Sequence, residues 1–207
     1  MLASPPVRAS RKPKGEGHAR RGEILAAAER IFVERGYEGA TIRKIAEEVG
    51  LSSTALYMHF REKSEILHEI CQAAFEQMMV VNEAIVADAA PPETRLRRLV
   101  EAYVRFGFDN PNAYRLIYMT RPSEAEGAKD AALTIGAELY ALIRSVVNEV
   151  EAEGRLIEDA ETTAQVLWAG AHGVVSLMIT KPYFAWVDRD ALCRTMLDGL
   201  FRSTVRS

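Results

Sequence analysis

TIRKIAEEVGLSSTALYMHF, residues 41–60, carries two short helical patterns separated by a glycine. Thr41 is a good N-cap for the first pattern, in which apolar residues recur three and four positions apart, and Gly50 is suited to end it. Ser52 can cap the second pattern, which is expected to run over Ser53–Phe60 with its apolar residues four apart. Two short helices joined in this way predict a helix-turn-helix.

The rest of the chain also has the residue spacing of helices. Apolar residues recur at helical spacing from Glu23 and stop at Gly36, and a long run with one apolar face extends from Lys63 to about Ala89. Further helices are expected at 93–108, after Pro111, and at 125–153, 160–180 and 188–203. No alternating strand pattern of useful length and no internal repeat occurs. The predicted fold class is all-α.

Composition favours a globular chain, and the distribution of charge distinguishes its first part from the rest. The chain has 207 residues, 48% of them hydrophobic, which is enough to bury a sizeable core. The net charge is -3, but residues 1–63 hold 12 Lys or Arg against 8 Asp or Glu, whereas the remainder holds 14 against 21. This asymmetry assigns any polyanion binding to the front, and a merely solvated basic surface is the alternative.

The N-terminus and the cysteines predict a cytoplasmic protein. Residues 1–20 are polar, basic and rich in Pro and Gly, which is typical of a disordered arm that contacts DNA phosphates or has no role. This arm lacks the apolar middle of a secretory signal. The chain also has no uninterrupted apolar stretch of about 18 residues, so no membrane partner is predicted. Cys71 and Cys193 have no CxxC partner, as expected for structural thiols in a reducing compartment.

The front of the chain resembles the N-terminal domain of the TetR family of bacterial transcriptional regulators over about residues 20–70. The matching positions are Gly36-Tyr37, Thr41-Ile42-Arg43-Lys44-Ile45-Ala46, Gly50, Leu56-Tyr57-Met58-His59-Phe60 and Lys63. The resemblance implies an N-terminal three-helix DNA-binding domain at 21–68 and a C-terminal helical ligand-binding and dimerisation domain at 69–207. The implied partners are a double-stranded DNA operator, a second copy of the chain and a small-molecule effector.

The second short helix is the predicted recognition helix. Such a helix presents short polar side chains at its N-terminal end to base edges, where a methyl group can also pack on a thymine methyl. The residues expected at this end are Ser52, Ser53, Thr54 and Ala55. Ser52 can alternatively be a helix cap and nothing more. Arg43 matches a family position that reaches a base or a nearby phosphate, and it is the best candidate for reading guanine.

Phosphate contacts are expected around the recognition helix. Tyr57, His59 and Lys63 match family positions that usually contact the sugar-phosphate backbone. Thr41 and Lys44 can add to them, because the N-terminus of a short helix offers free backbone N–H groups to a phosphate. Alternatives stay open: Tyr57 can be a half-buried packing residue, His59 a capping or core histidine, and Lys63 a solvated side chain.

The C-terminal part has the pattern of a dimer surface. Residues 166–179 are apolar nearly all round, so a helix there needs both a core and a partner to cover it. The resemblance implies a homodimer through about residues 160–180 and 188–203, and an isologous pair is the expected closed form.

Aromatic residues in the same part are candidates for a ligand pocket. Trp168 and His172 are similar to the Trp-His-Gly signature of one TetR subclass, and because they lie four apart they can stack or hydrogen-bond together beside a cavity. An apolar pocket with a few polar tips is the usual character of a ligand site. The candidate residues are Tyr103, Phe106, Tyr114, Tyr118, Trp168 and His172. Ordinary core packing is the alternative for each of them.

No catalytic pattern accompanies these features. The four histidines and two distant cysteines have no metal-ligand spacing, and no phosphate loop or nucleophile elbow occurs, so neither metal nor cofactor is predicted. The favoured function is a ligand-responsive repressor acting as a homodimer on a palindromic operator. The alternative is a ligand-sensing or protein-interaction dimer with a degenerate DNA-binding head.

Overall fold

The computed structural model describes residues 17–119 and 129–206, without the side chains of 129–135. Within these residues the chain forms nine helices and no strand. The helices are α1 Gly17–Gly39, α2 Ile42–Glu48, α3 Ser53–Tyr57, α4 Lys63–Val86, α5 Pro92–Asp109, α6 Pro111–Tyr118, α7 Lys129–Ala152, α8 Ala160–Thr180 and α9 Arg189–Thr204. The all-α class is confirmed. Residues 1–16 of the predicted arm and the start of the predicted 125–153 helix lie outside the described residues.

Side-chain caps begin three helices, and those of α2 and α3 are the caps that the sequence predicts. In each case a side-chain oxygen accepts the backbone N–H three residues later, at 3.2 Å for Thr41, 3.1 Å for Ser52 and 2.9 Å for Asp188. Each cap satisfies one of the N–H groups that a helix N-terminus leaves free. Gly50 has a φ of 66°, in the left-handed region, which explains why a glycine follows α2.

Two predicted boundaries are wrong. The recognition helix α3 ends at Tyr57 and not at Phe60, because the chain turns over the intervening residues and brings the Phe60 ring into the core. Residues 17–20 belong to α1 and not to a disordered arm. The beginning of α1 is held in place because Arg21 donates hydrogen bonds to Glu69 of α4.

Helix α4 connects the two parts of the molecule. Its beginning packs with α1, α2 and α3 around a core that includes Phe32, Ile45, Leu56, Phe60 and Ile66. Its later part packs against α5 and α7, which in turn contact α8, and α9 lies against α8. The predicted domain boundary at 68/69 falls inside this continuous helix and stays a prediction. Of the helices in the described residues, none is long and apolar enough to cross a membrane.

Helices α5 and α8 approach each other closely at Gly107. A Cβ atom at this position would lie 2.4 Å from Cγ1 of Val175 and 3.0 Å from Cδ2 of Tyr114. The Val175 side chain is fully buried and β-branched, so it cannot turn aside without repacking its surroundings. The missing side chain at position 107 therefore allows α5 and α6 to reach α8.

We expect Gly107→Ala to lower the free energy of unfolding by about 1–3 kcal/mol, because the added methyl group overpacks the crossing of α5 and α8. The matched control is Gly22→Ala in α1, where no atom lies within 4 Å of the added Cβ. The control should raise the free energy of unfolding by about 0.5–1 kcal/mol, since alanine is the better helix former. Urea unfolding at one fixed protein concentration measures both effects. A Gly107→Ala variant as stable as the wild type would contradict the close crossing.

Candidate functional site

One surface of α3 is polar and accessible. Thr54 is exposed and Tyr57 is 53% exposed, which argues against Tyr57 as a packing residue. Ser53 and Ala55 are half-buried at the N-terminal end of the helix, and the exposed Ser52 precedes them as the cap. The structure therefore brings the four residues expected at base edges to one end of an accessible helix.

Arg43 lies on the exposed side of α2, with its side chain 81% exposed. Its Nε donates to Oε1 of Glu47, one turn further along the same helix, at 2.8 Å. An exposed ion pair of this kind contributes little to stability in water. Arg43 can therefore leave Glu47 for a base or a phosphate at small cost.

Lys44 and Lys63 both donate to backbone carbonyls near the end of α1. Nζ of Lys44 lies 2.7 Å from the carbonyl oxygen of Gly39, and Nζ of Lys63 lies 2.6 Å from that of Tyr37. The Lys63 ammonium also lies 3.9 Å from the centre of the Tyr37 ring. Because an ammonium has three N–H donors, each lysine keeps donors for a phosphate. Lys63 thus has a defined position on the surface instead of extending freely into solvent.

Sequence reasoning missed Arg21, which attaches the helix-turn-helix to α4. Its Nε donates to both carboxylate oxygens of Glu69, at 2.9 and 3.0 Å, and its Nη1 donates to the backbone carbonyl of His59 at 2.6 Å. Its guanidinium lies 4.0 Å from the centre of the Phe60 ring. The hydrogen bond with Glu69 raises the pKa of Arg21. The available signal was the pair Glu65 and Glu69, which are four apart and therefore share a helix face.

Two family models match the parts of the chain that hold these features. The model described as "Bacterial regulatory proteins, tetR family" matches residues 24–70, and the model described as "Tetracyclin repressor-like, C-terminal domain" matches residues 96–200. The chain belongs to the TetR family. Neither description names the Trp-His-Gly subclass, which stays a prediction.

Individual TetR-family proteins are similar to the chain over different lengths. The transcriptional activator FasR of Mycolicibacterium smegmatis is 34% identical over 60% of this chain and 57% of its own length. The transcriptional repressor KstR2 of Mycobacterium tuberculosis is 36% identical over 42% of this chain and 44% of its own. The aligned part thus spans about half the length of these two relatives. The crystal structure of the TetR family regulator PfmR from Thermus thermophilus superimposes with a TM-score of 0.67 at 26% identity, over 86% of this chain and 97% of that one.

The C-terminal part of this TetR-family chain contains a cavity of about 290 Å³. The cavity is lined from α4, α5, α6, α7 and α8 by Phe75, Met78, Asn82, Tyr103, Ile117, Tyr118, Gly136, Ala137, Leu139, Tyr140, Ile143 and Trp168. Its volume lies near the lower end of the range of about 300–1,000 Å³ that is typical of small-molecule sites. Among the predicted pocket residues, Tyr103, Tyr118 and Trp168 line it. Phe106 lines a neighbouring hollow instead.

Tyr114 and His172 do not line the cavity, but both contact Tyr103, which does. The hydroxyl oxygen of Tyr114 lies 2.9 Å from that of Tyr103 and 2.6 Å from Nδ1 of His172. Nε1 of Trp168 donates to the Tyr103 hydroxyl at 3.3 Å, and Nδ1 of His172 lies at the same distance from it. Trp168 and His172 therefore meet through Tyr103, instead of pairing directly as their spacing suggests.

This network is uncharged near neutral pH. Burial raises the pKa of Tyr103, Tyr114 and Tyr118, and burial lowers the pKa of His172. In each case the cause is the loss of water around the charged form of the group. The three hydroxyls consequently keep their protons, and the imidazole is neutral at pH 7.

Sequence reasoning also missed what α4 and α7 contribute to the cavity. Phe75 and Met78 of α4 and Leu139 and Ile143 of α7 supply apolar walls, and all four are buried. Asn82 of α4 supplies a carboxamide. A signal was present, since Asn82 lies four residues after Met78 and thus interrupts the apolar face of the helix with a polar residue.

We expect His172 to make folding stability depend on pH. Its pKa is lowered in the folded chain, so below its ordinary value, about 6.5, the unfolded chain binds a proton that the folded chain does not. The stability that the neutral imidazole supports is thus present above that pH and is lost as the pH falls. We therefore expect acidification from pH 7.5 to pH 5.5 to lower the melting temperature of the wild type more than that of His172→Gln, as measured by thermal unfolding.

The matched control is His68→Gln, which removes a histidine of α4 outside this network and should keep the wild-type pH response. An equal loss of stability in the wild type and in His172→Gln would show that His172 is not held neutral by burial.

Proposed function

We propose that the chain is a sequence-specific DNA-binding regulator, and that it acts as a ligand-responsive repressor in the form of a homodimer on a palindromic operator. The observation that carries the proposal is the accessible α3, whose N-terminal end presents small polar residues in a TetR-family chain whose Arg43 is exposed on α2 and whose Lys63 is held at the surface by α1. The proposal of repression follows KstR2, which is named a repressor, whereas FasR is named an activator. Such a regulator works where bacterial DNA lies, in the cytoplasm.

In this proposal the residues around α3 divide into two groups. Base edges are read by Arg43, Ser53, Thr54 and Ala55, of which Arg43 alone can bind a guanine with two hydrogen bonds. Phosphates are contacted by Thr41, Lys44, Tyr57, His59 and Lys63. Ser52, at the same end of α3 as the reading groups, also caps the helix. The reading groups are few and short, so DNA shape and the spacing of two recognition helices supply part of the specificity.

DNA selected by the purified protein from random duplexes tests this division. With the selected duplex, Lys63→Ala and Tyr57→Phe should weaken binding by similar factors on all sequences, because phosphate contacts carry no sequence information. Arg43→Ala should instead reduce the preference at one base position by about 1–3 kcal/mol. Fluorescence anisotropy at several salt concentrations should also give a steep loss of affinity with salt, with a smaller slope for Lys63→Ala.

The matched control for a lost lysine or arginine is Arg98→Ala, an exposed cation of α5 that lies outside the helix-turn-helix and outside the proposed dimer surface, and that forms an exposed ion pair as Arg43 does. It should bind the selected duplex as the wild type does. Failure of the wild type to retain any promoter or genomic fragment at low salt would overturn the proposal and favour a degenerate DNA-binding head. An unchanged base preference in Arg43→Ala would refute the role of that residue alone.

The proposed dimer surface lies on α8 and α9. On α8 the residues Val166, Ala169, Gly173 and Leu177 follow one another at helical spacing, and Leu177 is 50% exposed. An accessible stripe of small and apolar side chains is unfavourable in water and is typical of a surface that another helix covers. Leu200 of α9 packs directly onto α8, so the two helices present one continuous surface. A second copy using the same surface gives a closed, isologous pair.

Leu177→Glu should convert the dimer to a monomer, because it places a charge on the apolar surface that the partner covers. The matched control is Val80→Glu on α4, which introduces the same charge at a side chain that is 68% exposed. Light scattering coupled to size exclusion should give the mass of one chain for Leu177→Glu and of two chains for the control. Two chains in both variants would refute this surface.

The cavity supplies the ligand-responsive part of the proposal. Phe75 and Met78 line it from the same helix that begins at Lys63, next to the helix-turn-helix. Tyr118 lines it from α6, and α6 also contacts α1. A molecule that enlarges the cavity therefore displaces elements that carry the DNA-binding residues. The recognition helices of a dimer must lie about 34–36 Å apart, so a small displacement is sufficient to reduce operator affinity.

A further inference from the structure

Asn82 is the one carboxamide among the residues that line the cavity. The residue is only 5% exposed, and within the described part of the chain no other group hydrogen-bonds its carboxamide. The carboxamide atoms are not among the fully buried atoms without a partner, so they are open to the space that the residue lines. Buried amide groups are normally hydrogen-bonded, and leaving one unpaired costs stability. An unpaired amide at the wall of a cavity is therefore best explained as a group whose partner is the occupant of that cavity.

The other lining residues limit the charge of this occupant. Of the side chains described around the cavity, none is acidic or basic, and most are aliphatic or aromatic. Their polar atoms besides Asn82 belong to neutral tyrosines and one tryptophan indole. A charged group would lose its hydration here without gaining an opposite charge, so such a wall selects against ions.

Asn82 also lies at a boundary between two spaces. Together with Met78 it lines both the cavity and a neighbouring hollow of about 190 Å³ on the α4–α5 side. That hollow is more polar, since Gln77, Arg105 and Asp109 contribute to its lining. A bound molecule with its apolar body in the cavity would thus have its polar end directed towards Asn82.

We infer that the cavity binds an uncharged, largely apolar small molecule whose hydroxyl, carbonyl or N–H group is held by the Asn82 carboxamide. The inference rests on the ligand-responsive part of the proposed function and adds the chemical class of the ligand and the residue that orients it. Neither Tyr114 nor His172 is assigned this role, because both lie outside the lining and already interact with each other.

Two dyes with one skeleton test the class of ligand. N-phenyl-1-naphthylamine is uncharged and has a single N–H donor, whereas 8-anilinonaphthalene-1-sulfonate adds a sulfonate. Titration of the full-length chain, followed by dye fluorescence, should show saturable binding of the uncharged dye at one molecule per chain. The sulfonate should bind at least about tenfold more weakly, because its charge finds no counter-ion in the cavity. Equal affinities, or no saturable binding of the uncharged dye, would overturn the inference.

Asn82→Leu tests the orienting residue, since it keeps the approximate volume of the side chain and removes its polar atoms. The variant should bind the uncharged dye with an affinity roughly three- to tenfold lower than that of the wild type, which is the effect of one lost hydrogen bond. The matched control Gln72→Leu removes an exposed carboxamide of the same helix and should leave dye affinity unchanged. Dye affinity equal to that of the wild type in Asn82→Leu would refute the role of Asn82.

Thermal unfolding separates this role from a structural one. Without ligand, Asn82→Leu should melt no lower than the wild type, because an amide without a partner in the protein is replaced by an apolar group of similar volume. A residue retained for folding would instead lower the melting temperature, which would count against the inference. Operator affinity without dye should be the same in Asn82→Leu and the wild type. Loss of DNA binding in both proteins would overturn the proposed function while leaving the dye result to decide the ligand class.

Discussion

The burial of one face of α4 is the constraint on which both halves of the molecule depend. At its beginning Ile66 and Leu67 are buried in the core of the helix-turn-helix, and further along Phe75 and Met78 are buried at the wall of the cavity. A close-packed interior transmits displacements instead of absorbing them. One wall of the cavity and part of the core of the helix-turn-helix are therefore built on one continuous helix.

Two arginines fix this helix at its ends. Near its beginning Arg21 holds Glu69, and near its end the buried Arg95 donates to the carbonyl of Val86 at 2.9 Å and to Glu149 of α7. The last carbonyls of a helix have no partner within it and carry a partial negative charge, so a guanidinium is well suited to them. A buried guanidinium is itself tolerated only where its donors are bonded. The apolar packing of α4 is thus supplemented by directional contacts that define its position.

The caps of the helix-turn-helix were easier to predict than the lining of the cavity, because the signals for the caps are local. Thr41 and Ser52 cap helices through atoms within three residues of each other, so spacing along the chain is sufficient to identify them. Asn82 and Phe106 illustrate the opposite case. Which of them lines the cavity depends on how α4, α5 and α7 are rotated against each other, and short-range spacing contains no such information.

The sequence by itself determined the helical class, the helix-turn-helix and the candidate residues at the DNA surface, because caps and apolar periodicity act between residues a few positions apart. Only the tertiary structure decided that Lys63 rests on Tyr37, that Arg21 joins α1 to α4, and that Asn82 remains unpaired beside a cavity. The reason is that these contacts join residues distant along the chain, or depend on the space left between packed helices. Side chains can be assigned to such a space only when the helices around it are in place.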